Sequence, residues 1–139
     1  MDAPDDSNLE LYLKYFDKHH VRHVVRVCEP TYNTQPLLDL NIAVYDWVFP
    51  DGEGPPDSVI TDWLALLAGL RANKESKSDA IAIHCSAGLG RAPVMVAIAL
   101  IEQGIDWSDA VELIRKERRG TPCAAACPAC PACCCRRRC

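Results

Sequence analysis

The sequence predicts an α/β fold with a central, mostly parallel sheet flanked by helices. Three apolar segments of strand length, at 21–27, 41–49 and 80–84, are rich in β-branched residues or alternate in polarity. Segments in which apolar residues have helical spacing lie before, between and after them. This alternation is typical of parallel sheets, because a parallel connection needs a long crossover that a helix can fill.

Local signals place the elements of the N-terminal half. Ser7 and Glu10 form the S-x-x-E pattern of a capping box, and the apolar residues after them have helical spacing, so a first helix is predicted. The strand VRHVVRV, a loop with two prolines and the strand NIAVYDWVF follow. These elements lie at 7–20, 21–27, 29–36 and 41–49.

The C-terminal half begins after PDGEGPPD, a loop with three prolines and two glycines. Asp57 or Ser58 is expected to cap the next helix. Pro93 suits the first turn of a later helix, which is apolar nearly all round and is predicted to be buried in the core. The helices are placed from 57 or 58 to about 70, at 93–103 and at 107–118, with a strand at 80–84.

Length and charge suggest one domain and a separate tail. The chain has 139 residues, 49% of them hydrophobic, and we place a domain at 7–120 and the tail at 121–139. All 19 acidic residues and 12 of the 15 Lys and Arg residues lie in 1–120, so this part carries −7 and the tail +3. Because the body is acidic, nucleic acid is not expected as a partner.

Cysteine usage predicts reduced thiols. Of nine cysteines, seven lie in the tail, and the body holds only Cys28 and Cys85, too few for a disulfide framework. There is no apolar run of the roughly 18 residues that a membrane span needs, and the N-terminus is acidic rather than a signal peptide. We therefore expect a cytoplasmic protein.

The segment HCSAGLGRAP, at 84–93, predicts a phosphate-binding loop. It joins a strand to the start of a helix, so backbone N–H groups and the helix dipole converge on one point. Its glycines permit the required backbone angles, and Arg91 adds a planar cation that binds phosphate oxygens in pairs. The expected phosphate-binding residues are Ser86, Ala87, Gly88, Leu89, Gly90 and Arg91.

Cys85 lies at the base of this loop, where the field that holds an anion also stabilises a thiolate. A thiolate beneath a bound phosphate ester is placed for in-line attack on phosphorus. The alternative is a buried structural cysteine with Arg91 as a surface cation. For His84 we favour an orienting role through hydrogen bonds over direct proton transfer.

The spacing from Cys85 to Arg91 is the C-x5-R signature of the protein tyrosine phosphatase superfamily. The strings HCSAGLGRAPVMVAIALIE, VVRVCEPTYNT, YDWVFPDG and DAVELIRKERRG resemble the phosphatase of regenerating liver group, or protein tyrosine phosphatase type IVA family, over about 8–120. The resemblance implies a dual-specificity phosphatase-like fold, here without its N-terminal strands and C-terminal helix. It also implies hydrolysis of phosphate monoesters through a cysteinyl-phosphate, with no metal and no cofactor.

The same resemblance implies a general acid. The family has an aspartate in a W-P-F-D-D-G-like motif, and Asp51 in WVFPDG matches it, while Pro50 replaces the first aspartate of the pair. An aspartate before glycine is also a common turn residue, which is the alternative. Asp46, at the strand end, is the lesser candidate and is expected to be structural.

The resemblance also implies roles for two further residues, Ala92 and Cys28. Ala92 follows Arg91, where most of the superfamily has serine or threonine, and this implies slow breakdown of the phospho-enzyme. The alternative function is therefore a slow-turnover binding module that regulates a CBS-domain magnesium-transport mediator through the same pocket. Cys28 matches the family cysteine that can form a reversible disulfide with the nucleophile, although it could instead be a small apolar residue at a strand end.

The sequence leaves open more than one reaction class and more than one class of substrate. A rhodanese-type sulfurtransferase also uses a cysteine loop at a helix N-terminus, but the spacing to Arg91, His84 and the upstream Asp51 favour a phosphatase. The substrate is expected to be a phosphorylated protein, through phosphotyrosine or phosphoserine and phosphothreonine, or a phosphoinositide. All of these substrates carry the same phosphate monoester group.

The tail, TPCAAACPACPACCCRRRC at 121–139, has four interpretations. Its C-x-x-x-C and C-x-x-C spacings could bind zinc, and its cysteines beside arginines could be acylated, which would attach the protein peripherally to membranes. It could also be a disordered linker or an artefact of a shifted reading frame, which we favour because of its low complexity. Because Cys139 is the last residue of the sequence, the family's prenylation is not expected here.

Overall fold

A computed structural model describes residues 1–73 and 78–117 of the chain. In chain order, the elements are α1 (Leu9–Lys18), β1 (Val21–Arg26), α2 (Gln35–Leu38), β2 (Ala43–Asp46), α3 (Asp57–Ala72), β3 (Ala80–His84), α4 (Arg91–Glu102) and α5 (Trp107–Glu117). The predicted tail at 121–139 lies outside the described residues. No helix of the described part is long and apolar enough to cross a membrane.

The three strands form one parallel sheet in the order β2-β1-β3. Because all strands run the same way, their carboxyl ends meet at one edge. Arg26 ends β1 and lies in register with Asp46 on one side and His84 on the other. The predicted α/β fold with a parallel sheet flanked by helices is confirmed.

Helices cover both faces of the sheet and create two apolar cores. The core facing α3 and α4 contains Val25, Phe49, Trp63, Ile83 and Met95, and the indole N–H of Trp63 donates to the Met95 carbonyl (2.9 Å), which joins the two helices. The core facing α1 and α2 includes Leu9, Phe16, Tyr32, Leu37 and Ile42. This two-sided packing holds the carboxyl edge of the sheet in place, and that edge carries the candidate site.

The predicted capping box is wrong. The N-cap of α1 is Asn8, and its side chain makes no capping hydrogen bond. The carboxylate of Asp5 instead accepts from the hydroxyl and backbone N–H of Ser7 and from the N–H of Asn8 (3.0 Å). In a capping box the Glu10 side chain would accept from the Ser7 N–H; here Asp5, placed before the helix, accepts from that N–H and from the Ser7 hydroxyl instead.

Other boundaries also differ from expectation. Pro56, not Asp57 or Ser58, is the N-cap of α3. The short helix α2 lies partly within the predicted loop 29–36, and α4 starts at Arg91 rather than at residue 93. Helix α4 is also not buried all round, since Val94 is 39% exposed on its outer side.

Candidate active site

The candidate site lies where the chain leaves the carboxyl ends of the strands. Cys85 directly follows β3, and Cys28 follows β1 after one residue. Both cysteines are buried and unpaired. Parallel strands therefore bring together two thiols that are 57 residues apart in the sequence.

Residues 85–91, here called the phosphate loop, turn tightly from β3 into α4. Gly88 has a φ of +65°, and a Cβ atom there would lie 2.2 Å from the carbonyl oxygen of Met1. The N–H of Ala3 donates to the Ser86 carbonyl (3.0 Å). The N-terminal segment thus packs directly on the loop, and only glycine fits at position 88.

Arg91 spans the loop mouth with its guanidinium. Nη1 donates to the Phe49 carbonyl (2.9 Å), and Nη2 donates to the Ser86 hydroxyl (3.1 Å). The third nitrogen, Nε, is buried and has no hydrogen-bond partner among the described residues. It lies 3.5 Å from Oδ1 of Asp51. The arginine is therefore held by two hydrogen bonds, and its Nε forms an ion pair with Asp51 but no hydrogen bond within the described part of the chain.

Residues 49–54, here called the acid loop, bring Asp51 to the same place. Its carboxylate is 74% exposed, and a Cβ at position 90 would lie 3.0 Å from Oδ1 of Asp51. Glycine at 90 thus leaves room for the carboxylate. The other candidate acid, Asp46, pairs instead with Arg26 through both carboxylate oxygens, one at 2.6 Å from Nη2.

His84 is fully buried behind the phosphate loop. Its Nε2 is 2.9 Å from the Tyr32 hydroxyl, and its Nδ1 is 3.9 Å from the Cys28 sulfur. Burial, together with the positive charges of the N-terminal amine and Arg26, lowers the pKa of His84 to about 4. The imidazole is therefore neutral at physiological pH.

Cys28 lies within the same group of side chains. Burial raises the pKa of its thiol, against the opposing effects of a hydrogen bond from Ser86 and the positive charge of Arg91. The charge of Cys85 also acts on it. Cys28, Ser86, Arg91 and Cys85 are thus electrostatic neighbours.

The structure thus brings most of the sequence-predicted residues together, with Ala87 and Leu89 exposed on the loop. Tyr32 and Arg26 were not identified from the sequence. The string VVRVCEPTYNT does not show that Arg26 is buried. Tyr32, four residues after Cys28, could have been recognised as a further candidate for the site. In the described part, no group of three or more His, Cys, Asp and Glu side chains could hold a metal ion. The tail cysteines lie outside that part.

A model of the protein-tyrosine phosphatase family matches residues 7–123. The chain is 53% identical over 120 residues to a probable protein tyrosine phosphatase type IVA A of Dictyostelium discoideum, covering 86% of this chain and 71% of the relative. It is 46% identical over 117 residues to protein tyrosine phosphatase type IVA 3 of Mus musculus, covering 84% and 66%. The chain thus spans about two thirds of the length of these relatives.

Solved structures agree with this match. A putative protein tyrosine phosphatase from Leishmania major is 42% identical and superposes with a TM-score of 0.78 over 87% of this chain and 77% of that one. Human DUSP28 has the same fold at 15% identity, with a TM-score of 0.60 over 81% and 72%.

The fold is that of the dual-specificity phosphatase-like proteins, and the sequence match defines a protein tyrosine phosphatase. The chain belongs to the protein-tyrosine phosphatase family, and its relatives place it in the type IVA group. It is a phosphatase hydrolase, and the rhodanese alternative is not retained. The family acts on phosphorylated proteins.

Proposed function

We propose that the chain hydrolyses phosphate monoesters through a cysteinyl-phosphate on Cys85. The sulfur of Cys85 attacks phosphorus in line with the leaving oxygen, so an S–P bond forms as the P–O ester bond breaks. Water then attacks the phosphorus, which releases inorganic phosphate and restores the thiolate. No metal or cofactor takes part in these steps.

One observation carries this proposal: the buried Nε of Arg91 has no hydrogen-bond partner among the described residues. The ion pair with Asp51 leaves the N–H of this buried donor without a hydrogen bond to the described residues, which is unfavourable. An oxyanion of a bound phosphoryl group would pair with it, and backbone N–H groups of residues 86–90 would hold the remaining oxygens. The contacts of Arg91 with Phe49 and Ser86 keep the guanidinium in position before substrate binds.

Asp51 is assigned as the general acid and base. It protonates the leaving oxygen in the first step, and its carboxylate then takes a proton from the attacking water in the second. Its proximity to Nε of Arg91 supports this role, since the carboxylate lies over the site. The phosphoryl group would enter between the two side chains, so the acid loop moves outward to admit it.

His84 is assigned an orienting role without proton transfer. It is buried, and its low pKa of about 4 keeps the imidazole neutral at physiological pH. A neutral ring can hold the residues behind Cys85 through hydrogen bonds, as its contact with Tyr32 indicates.

Ala92 supports slow turnover and a second role as a binding module. It is buried at the start of α4, directly after Arg91, and it has no hydroxyl to assist departure of the sulfur. A long-lived phospho-enzyme would block the pocket for a protein that docks there. The partner proposed for that role is a CBS-domain magnesium-transport mediator. An Ala92→Ser variant that turns over faster and, in the presence of substrate, binds the partner more would support this second role.

Cys28 is assigned as the redox partner of Cys85. A peroxide oxidises the Cys85 thiolate to a sulfenic acid, and the Cys28 thiol then displaces water to form a disulfide. The burial of both thiols and the effect of Cys85 on the pKa of Cys28 support this pairing. The substrate is proposed to be phosphotyrosine, phosphoserine or phosphothreonine in a protein, or a phosphoinositide. The location is proposed to be cytoplasmic, with membrane attachment only through a lipidated tail.

The test is hydrolysis of a fluorogenic aryl phosphate under strong reductant. We expect turnover by the wild type and its loss in Cys85→Ser. Cys139→Ser is the matched control, because it makes the same change outside the proposed site. Equal activity of wild type and Cys85→Ser would contradict the proposal.

A further inference from the structure

A row of side chains, buried except for Asp46 at its outer end, crosses the carboxyl edge of the sheet behind the phosphate loop. Asp46 pairs with Arg26, and the guanidinium of Arg26 lies 5.0 Å from the centroid of the Tyr32 ring. Nη1 of Arg26 also donates to the Tyr32 carbonyl (3.2 Å). The Tyr32 hydroxyl meets Nε2 of His84, and Nδ1 of His84 faces the sulfur of Cys28.

The hydroxyl proton of Tyr32 can be located from the hydrogen bond with His84. Tyr32 is 6% exposed, and among the described residues its hydroxyl has His84 as its hydrogen-bond partner. A buried phenol O–H without an acceptor is unfavourable, so the hydroxyl donates and Nε2 accepts. Burial raises the pKa of Tyr32 to about 12, so the phenol keeps this proton at physiological pH.

A neutral imidazole carries one N–H. Since Nε2 accepts, the proton of His84 lies on Nδ1, the nitrogen that faces Cys28 at 3.9 Å. Burial raises the pKa of the Cys28 thiol, Ser86 acts to lower it, and the Ser86 hydroxyl accepts a hydrogen bond from Nη2 of Arg91 (3.1 Å). The row therefore ends on the loop residue that holds the phosphate-binding arginine.

We propose that Tyr32 is a positioning residue of the phosphate loop, because its hydroxyl fixes His84 as the Nδ1–H tautomer and directs that N–H to the Cys28 sulfur. The effect on catalysis rests on the proposed function, whereas the tautomer does not. Tyr32 takes no part in the chemical steps proposed for Cys85. It acts by fixing the ring of the residue that precedes the nucleophile.

The test is nitrogen-15 NMR of the histidine side chains in the full chain. An unprotonated imidazole nitrogen resonates far downfield of a protonated one, so the spectrum identifies the tautomer directly. The His84 signals are assigned by their absence in His84→Asn. We expect Nδ1–H for His84 in the wild type and loss of that preference in Tyr32→Phe. A wild-type His84 protonated on Nε2 overturns the proposal, even if the variant does not fold.

The matched control is Tyr45→Phe. Tyr45 makes the other tyrosine–histidine contact of the sheet, with Nδ1 of His23 at 3.2 Å. This variant removes the same atom from the same residue type, and it should leave the His84 signals unchanged. If Tyr32→Phe also leaves them unchanged, Tyr32 does not set the tautomer and the proposal is wrong.

The second measurement is steady-state kinetics, which separates a positioning role of Tyr32 from an effect on stability alone. For an aryl phosphate, we expect Tyr32→Phe to lower kcat about fivefold with little change in KM, because the loss of one hydrogen bond displaces the ring while the phosphate contacts stay. Tyr45→Phe should keep the wild-type kcat. A changed tautomer with unchanged kcat overturns the positioning role. If the wild type has no turnover, the proposed function fails while the NMR result still decides the tautomer.

Discussion

The phosphate loop and the acid loop contribute to one site, but the protein holds them in different ways. The phosphate loop follows buried His84 and begins with buried Cys85, and Ala92, the second residue of α4, is also buried. The acid loop is anchored in the core by Phe49, which is 2% exposed, but Asp51 extends into solvent. A Cβ placed at Gly52 would meet no atom within 4 Å.

This difference separates two requirements of the proposed reaction. A nucleophile and its anion site gain from being fixed before substrate arrives, since no reorganisation is then needed. An acid that lies over the same site must move aside to admit substrate. Four predictions test this contrast, from the largest expected effect to the smallest.

Arg91→Lys should have the largest effect. Lysine keeps the charge but loses the planar fork that reaches Phe49, Ser86 and the anion together. We expect kcat/KM for an aryl phosphate to fall about 10³-fold. Arg71→Lys, on α3, is the matched control. A fall of less than tenfold in Arg91→Lys would show that fixed geometry at the loop matters little.

The buried His84 should make stability depend on pH. Its pKa is about 4 in the folded protein, so between pH 6.5 and pH 4 the unfolded chain binds the proton first. Its contribution is complete above about pH 6.5 and is lost as the pH falls, by about 3 kcal/mol near pH 4.

Chemical denaturation of wild type and His84→Asn at several pH values measures this term. Since other groups titrate in both proteins, the difference between their unfolding free energies isolates the histidine. We expect that difference to shrink as the pH falls from 7 to 4. A difference that is constant with pH would mean that His84 titrates normally.

Asp51→Asn should reduce kcat by about 10²-fold, less than Arg91→Lys, because the exposed acid assists only the proton transfer. KM should change little. The loss should be smaller for an aryl phosphate whose leaving phenol is more acidic, since such a group needs less protonation. Glu53→Gln, on the same loop, is the control. An equal loss for both leaving groups would assign Asp51 a different role.

Two glycine variants give the smallest effects. Gly88→Ala adds a Cβ at a positive φ and against the backbone of Met1, whereas Gly52→Ala adds one at a φ of +86° in open space. We expect the free energy of unfolding to fall by at least about 2 kcal/mol for Gly88→Ala and by about 1 kcal/mol for Gly52→Ala. Equal losses in thermal or urea unfolding would remove the predicted contrast in packing.

Sequence patterns predicted the parallel sheet, its strands and most helices, because periodicity and turn residues act locally. The role of the loop from Cys85 to Arg91 is also predicted locally, since its candidate residues lie in one short segment, and it stays a prediction. The approach of Asp51 to Arg91 required the family resemblance, because 40 residues separate them.

The remaining features depend on contacts that a linear pattern does not encode. The capping-box prediction was wrong because the Asp5 carboxylate takes the Ser7 N–H that Glu10 would bind, and also the Ser7 hydroxyl. The row from Asp46 through Arg26 and Tyr32 to His84 arises from the register of three strands and from a loop that folds back. Only the assembled sheet brings those groups together.

The most direct test of the central claim is to look for phosphate on Cys85. The wild type is mixed with an aryl phosphate, quenched within milliseconds to seconds, and digested for mass spectrometry under conditions that preserve phosphocysteine. We predict phosphate on Cys85 in the wild type, more of it in Asp51→Asn once the reaction reaches steady state, and none in Cys85→Ser. Turnover without phosphate on Cys85 at any time would contradict the proposed mechanism.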